Sequence, residues 1–463
     1  MELNGLSEFT KDLEILRDLQ RKMISILSSI KLPNSSTTNQ INDLFNFLEK
    51  ISISNHFSLY EAFLHIFVHL SIYFDFKETK DENIQSKRQE IFFMILKELI
   101  LKHSLKTSIH STTLFLIFLA NKHFLLFLLE EGIFDISFLI HEISLFNDQN
   151  LFIFFIPEIK KFNLQSYEDF MGHFNLTEEE VIDFSFELKE KSPEEDLTKK
   201  EDRDDNNNKE KENQFLIEIR RKIHSEEEIA KIIRSDDINQ FIDFVSRKGN
   251  FDLNSRIKPT FFENNIDLSS ESQGINLLDY SVIFGSINIF RYLLLNKVKF
   301  SKESFKYCII GNNYEILHIF EEDEQLEFDK KCYLKCFEYY HPELIEYFSN
   351  FNNSNNANFS EKINDLTISS IIQIFNETTN IEILCEIILK KEISHVSEND
   401  QYQYFSSSNY LISTFDLNQI HSNLLNLQFS FSFLYSFLLQ QTKIDVNLKN
   451  NIFIFQFMIH FYF

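Results

Sequence analysis

Chemistry could begin at His65-Ile-Phe-Val-His69, whose two histidines stand one helical turn apart, the spacing with which a helix offers two nitrogens to zinc. The motif lacks the glutamate that a zinc protease carries directly after its first histidine, and apolar residues fill the gap, so core packing accounts for it better than a metal does. Cys332 and Cys336 are also one turn apart, too few ligands for a structural zinc site. Together with Cys308 and Cys385 they read as small buried residues of a reduced protein. The seven glycines, at 5, 132, 172, 249, 274, 285 and 311, are too far apart to build a loop that cradles phosphate. A Gly-x-Ser-x-Gly elbow and a Cys-x-x-Cys pair are both missing. No catalytic, cofactor-binding or metal-binding residue is assigned, and the chain reads as a non-enzyme.

Composition narrows the remaining classes. A formal charge of -25 and a pI near 5.0 argue against a nucleic-acid surface, which needs a basic patch to release counterions. They argue equally against docking on anionic lipid. A hydrophobic content of 43% is too high for wholesale disorder. The 53 phenylalanines beside 5 prolines and no tryptophan follow AT-rich codon usage, which lowers the weight of any single aromatic. The polar start Met1-Glu-Leu-Asn-Gly5 is no signal peptide, so a cytoplasmic location is expected.

The elements that would position any site are helices. Leu13, Leu16, Leu19, Met23, Ile24 and Leu27 recur at helical spacing over 7–31. Pro33 to Asn39 reads as a polar loop, with Asn39 or Asn42 capping a helix whose face is Leu44, Phe45, Leu48 and Ile51. Residues 59–74 are apolar almost all round, as a helix covered by neighbours is. A charged loop is expected over 75–88, then a helix over 91–101. Helix pairs follow at 112–120 with 124–129, and at 136–145 with 151–156. Lys122 within the apolar stretch 114–129 argues against a membrane span there. The charged run 187–212 reads as a solvated linker. Beyond it, a helix over 215–223 and a helix pair turning at Ser235-Asp236-Asp237 are expected, then helices over 368–375 and 381–390.

The most informative stretch, Gly274 to Asn350, repeats itself. Ser281, Cys308 and Cys336 fall in register at steps of 27 and 28 residues, and Ile289, Leu317 and Ile345 follow them eight or nine residues later. Such a period marks units that bury their apolar faces only by stacking.

Leu278-Asp-Tyr-Ser-Val-Ile-Phe-Gly-Ser-Ile-Asn-Ile-Phe-Arg-Tyr-Leu-Leu294, Gly311-Asn-Asn-Tyr-Glu-Ile316 and the echo of Asp252-Leu-Asn254 in Asp445-Val-Asn447 resemble an ankyrin-repeat protein. More narrowly, they are similar to the divergent ankyrin-like family of parasitic protists, over about 215–350 and again near 445. The resemblance implies an all-α fold, an α-solenoid of stacked helix pairs with abbreviated hairpin loops. It also implies a small residue within the first helix, filled by Ser281, Cys308 and Cys336, and a residue tolerant of positive φ at its end, which Gly285, Asn312 and Asn313 can supply. Pro342 suits the first position of a second helix. Leu277-Leu-Asp-Tyr280 stands where the family has Thr-Pro-Leu-His, and the units are shorter than the usual length of about 33 residues.

The expected organisation is a helical domain over 1–186, a linker over 187–212, the ankyrin-like core over 213–350, degenerate repeats over 351–450 and an aberrant apolar tail over 451–463. The function implied is a non-catalytic, intracellular protein-interaction scaffold with an unnamed protein partner and no cofactor. Partner contacts are expected at Asn288, Arg291, Asn313, Glu315, His341 and Glu343. Two alternatives are a membrane-peripheral protein using the tail, and a truncated paralogue without selected function. The tail is too short to span a bilayer.

Overall fold

The computed structural model describes residues 2–31, 35–177, 220, 222–270, 273–301, 303–322, 330–352, 378–382 and 385. Helices dominate, and the strands among the described residues form one two-stranded ribbon. Two compact units are present, one combining residues 1–119 with 327–463 and the other made of 120–326. The linker 187–212, where composition changes, lies outside the described residues, as do the helix expected at 368–375 and the tail 451–463.

The first unit opens with α1 (Glu2–Ser28), α2 (Ser35–Lys50), α3 (Phe57–Tyr73), α4 (Glu82–Lys102), α5 (Leu105–Ser108) and α6 (Ser111–Phe118). Leu13, Leu16, Leu19, Met23 and Leu27 are buried as their spacing requires. Helix α1 packs on α2 and α3, and α3 in turn on α6. Being covered on several sides, α3 buries nearly every residue from Leu59 to Ile72. Two expected loops are helical instead. Helix α2 already starts at Ser35, so Asn39 and Asn42 lie inside it and cap nothing. The charged stretch 75–88 holds a 3₁₀ turn, Phe76–Lys80, and the start of α4, where Asp81 accepts from the N–H groups of Asn83 and Ile84. Its charges are the exposed face of a helix rather than a loop, and buried Arg88 turns back to donate to the Phe74 and Asp75 carbonyls.

The second unit contains α7 (Lys122–Glu130), α8 (Ile136–Phe146), α9 (Gln149–Phe162) and α10 (Leu164–His173). Asn121, Asp135, Asp148 and Asn163 cap them in turn. Helix α9 outruns the expected 151–156 and carries Pro157 inside it. Residues 222 and 223 are not helical, against the helix expected over 215–223. Then come α11 (Glu228–Ser235) and α12 (Ile238–Arg247), β1 (Arg256–Ile257), α13 (Ile266–Ser269), β2 (Ile275–Asn276), α14 (Leu277–Ile283), α15 (Ile287–Leu295), α16 (Ser304–Gly311) and α17 (Tyr314–Glu321). The strands pair antiparallel, Arg256 opposite Asn276 and Ile257 opposite Ile275. Gly274 at φ 78 permits the ribbon, since a Cβ there would lie 2.5 Å from the Ile257 carbonyl oxygen.

Within this unit first helices pack on first helices, α11 on α14 and α14 on α16, while second helices pack on second helices, α12 on α15. Helix α14 lies between two neighbours and buries all seven of its residues. In the first unit, α18 (Lys330–Glu338) and α19 (Pro342–Asn352) form one more pair, and residues 381, 382 and 385 are helical. No helix among the described residues is long and apolar enough to cross a membrane.

Candidate interaction surface

The turns between paired helices share one geometry. Gly285 (φ 64), Asn312 (φ 43) and Tyr340 (φ 58) are left-handed, four residues after Ser281, Cys308 and Cys336. The next residue starts the second helix: Ser286, Asn313 or His341. The Ser286 and His341 N–H groups reach back 2.8 Å to the carbonyls of Ser281 and Cys336, closing the first helix in a six-residue loop. Asp236–Asp237 and Thr379–Asn380 repeat the left-handed residue and the cap. Because every turn has the same length, the apolar register is constant. Ile289, Ile316 and Leu344 are the equivalent buried residues, and the expected Leu317 and Ile345 are each displaced by one, leaving Ile345 half-buried.

Side chains at these turns bind the neighbouring pair. The Asp236 carboxylate accepts from the N–H groups of Asn288 and Ile289, both at 3.1 Å, and from Asn288 Nδ2 at 2.9 Å. It therefore caps α15 from the preceding pair, where a negative charge is favoured. Ser286 Oγ donates to the Ile233 carbonyl at 2.5 Å, and Asn313 Nδ2 to the Gly285 carbonyl at 3.3 Å. In the first unit Asn380 Nδ2 donates to the Phe337 carbonyl at 2.8 Å. Ile233 and Phe337 each lie three residues before the left-handed residue of their own turn, so Ser286 and Asn380 occupy the same place in the repeat.

This geometry locates the expected contact residues. Asn288, Arg291, Asn313 and Glu315 gather at the turns of the second unit, where Arg291 Nη2 lies 3.0 Å from Glu315 Oε2. That pair is well exposed, so solvent screens it. Glu343 is exposed, whereas His341 is buried, its ring stacked on that of Tyr339. These two belong to the first unit.

Buried polar clusters stand apart from the turns. The Asn276 side chain caps α14 by accepting from Asp279 N at 2.7 Å, and its own Nδ2 donates to the Asp279 carboxylate at 2.7 Å. Asp279 also accepts from Ser304 Oγ of the next pair, and burial holds its carboxyl above the ordinary range. His224 Nδ1 pairs with Glu263 Oε2 at 2.8 Å, and Glu263 Oε1 accepts from Asn265 N at 2.9 Å. A histidine oriented by a carboxylate could serve as a general base. The hydroxyls around this one are committed to the fold: Thr260 Oγ1 donates to the Ile223 carbonyl and Tyr280 OH accepts from Arg234. The adjoining cavity of about 10 Å³ has room for about one water and no substrate. Arg220 binds both oxygens of Glu158 and the Phe154 carbonyl, anchoring the chain to α9.

No three histidine, cysteine or acidic side chains among the described residues come together as a metal site. His69 instead shares a hydrogen bond of 2.9 Å with Tyr340 OH, and burial holds its ring down to about 3. Cys336 Sγ donates to the Cys332 carbonyl one turn back. No motif announces Gln20, Asn380, Arg220 or the His224–Glu263 pair, because their partners are distant in sequence, 360 residues away in the case of Gln20 and Asn380. Compared with known proteins, the chain matches no family model, no curated protein and no solved structure.

Proposed function

We propose that the chain is a divergent ankyrin-like solenoid that acts as a non-catalytic protein-interaction scaffold. The observation that carries this reading is the stacking of first helix on first helix and second on second, with a left-handed residue just before the second helix at Asp236, Gly285, Asn312 and Tyr340. Units built this way bury a continuous core between them and leave their turn edges to solvent, which suits them to binding other proteins. Ser281, Cys308 and Cys336 are buried and small, as such packing requires, and the two-residue strands β1 and β2 pair just ahead of α14 across a connection of 17 residues that holds α13, longer than the abbreviated hairpin loop expected. The buried His224–Glu263 pair is structural in this reading.

Affinity capture with the full chain tests the proposal. A protein retained in stoichiometric amount is expected, and its retention should fall when the α14–α16 packing is broken by Gly311→Leu. A full chain that retains nothing stoichiometrically, or a retained protein indifferent to Gly311→Leu, would overturn it.

A further inference from the structure

The first unit is assembled from the two ends of the chain, residues 1–119 and 327–463, with the whole second unit between them in sequence. Its N-terminal helices hold the C-terminal pairs by their turns. Gln20 on α1 uses both ends of its amide: Nε2 donates to Asn380 Oδ1 at 2.8 Å, and Oε1 accepts from Ile381 N at 2.9 Å. Arg21 beside it forms an ion pair with Glu382, Nη2 to Oε2 at 3.0 Å. On α3, His69 bonds to Tyr340 OH and the Tyr73 ring meets the edge of Tyr339. The repeat contributes the left-handed residues Tyr340 and Thr379, the cap Asn380 and the first residues after it, which is the same edge that the second unit leaves to solvent at Arg291 and Glu315.

The held turns are also the strained ones. Among the described residues ten other than glycine have a positive φ, and these include one aromatic residue, Tyr340 at φ 58, and one β-branched residue, Thr379 at φ 46. Left-handed backbone suits those two types least. Both stand where α1 and α3 dock, whereas the turns of the second unit use Asp236, Gly285 and Asn312, which suit it better. Docking adds a further cost at His69, whose buried Nε2 has no hydrogen-bond partner. The docked joint is therefore held against local costs that undocking releases. Strain of this kind collects at switch regions. The joint is also polar, with two amides and an exposed ion pair that water can satisfy, as in interfaces that open.

Resting on the scaffold reading above, we infer that α1 and α3 are an autoinhibitory shield over this edge. Docked, they keep Asn380, Ile381 and Glu382 from any partner. Undocked, they leave the edge to a partner helix with the chemistry that α1 itself shows: a glutamine whose amide meets Asn380 and Ile381, followed by a cation for Glu382. The two states use the same donors and acceptors, so occupancy from within the chain excludes the partner.

The probe is a fluorescent peptide of residues 11–31, titrated against the full chain. The wild-type chain should not bind it, because a tethered copy of the same helix already holds the edge at high effective concentration. A chain with Gln20→Ala and Arg21→Glu loses two hydrogen bonds and sets two carboxylates against each other, and it should bind the peptide saturably. Its α1 should stay protected from amide exchange, since Leu13, Leu16, Leu19 and Met23 are buried and the helix still packs on α2 and α3. Exchange over 337–342 should quicken. Arg21→Glu alone, at an exposed position, carries the same test should the double variant fail to fold, and adding Glu382→Arg should slow that exchange again. A peptide with Gln20→Ala should bind the opened chain roughly tenfold more weakly. Equal binding to wild-type and opened chains, no binding to either, or binding indifferent to Gln20→Ala in the peptide overturns the inference and leaves the scaffold reading intact. Peptide binding by the opened chain, with no protein retained by any chain in the capture experiment above, would overturn the scaffold reading alone.

Discussion

Gly311 and Gly172 offer the same substitution with opposite expected signs. Both glycines are helical, so replacement by alanine brings an intrinsic gain of up to about 1 kcal/mol. At Gly172, exposed on α10, a Cβ meets nothing within 4 Å, and the gain stands alone. At Gly311 the same atom would fall deep inside the van der Waals radius of the Val282 carbonyl oxygen and 3.0 Å from that of Ile283. Both obstacles are backbone and cannot rotate away. Val282 O also accepts from Gly285 N at 3.1 Å, so pushing it aside disturbs the left-handed turn. Helix α14 cannot slide without opening its contact with α11. Overpacking typically costs about 1–3 kcal/mol, which exceeds the propensity gain, so Gly311→Ala should destabilise the second unit by about 2 kcal/mol. For a domain of this size that lowers Tm by roughly 4–8 °C. With two compact units a global melt need not be two-state, and the decisive readout is amide exchange. Protection should fall in α14 and α16 for Gly311→Ala and rise in α10 for Gly172→Ala. Equal or greater protection of α14 in Gly311→Ala would refute the close packing of α14 on α16.

Gly285→Val should cost on the order of 1–3 kcal/mol, measured as a lower urea midpoint, while Gly285→Asn is tolerated, because φ is 64 there. His69 and His123 are held down by burial to about 3 and about 4, below their ordinary 6.5. The unfolded chain therefore takes up protons first on acidification. Stability is full above 6.5 and declines toward pH 4, by at most about 1.4 kcal/mol per pH unit for each histidine. Urea midpoints across that range should slope accordingly, and His69→Gln should flatten the slope. Arg220→Ala leaves Glu158 without contacts of 2.8 and 2.9 Å, and should destabilise the second unit by about 3 kcal/mol, read as lost exchange protection in α9.

Local pattern carried much of the fold. The spacing of Leu13, Leu16, Leu19 and Met23 and the unbroken apolarity of 59–74 required buried helices, and those are found. Charge misled at 75–88, because a helix with one buried face shows mostly its solvated residues to a composition scan, and Asp81 begins such a helix. The turn at Asp236 was legible from its polar residues, but what its carboxylate does was not, since Asn288 lies 52 residues on. The same holds for the contact residues. Their polarity placed Asn288, Arg291, Asn313 and Glu315 at turns, yet only the packing of neighbouring pairs shows that much of it serves to join them.

The faintness of the repeat has a physical cause in the left-handed position. Asp236, Gly285, Asn312, Tyr340 and Thr379 all hold it, at φ between 43 and 64. Glycine and asparagine do so readily, whereas a tyrosine or a β-branched threonine there is strained by about 1 kcal/mol or more. Tyr340 has local compensation: its hydroxyl bonds to His69, its ring meets the edge of Phe74, and the following N–H closes on Cys336 O at 2.8 Å. At Thr379 the compensation comes from Asn380, which Gln20 on one side and the Phe337 carbonyl on the other hold in place. Stacking therefore imposes the turn, and the turn residue need only submit to it. A position held from outside is free to drift in sequence. What cannot drift is the short path from left-handed residue to cap to first buried residue, and that path is what repeats in this chain.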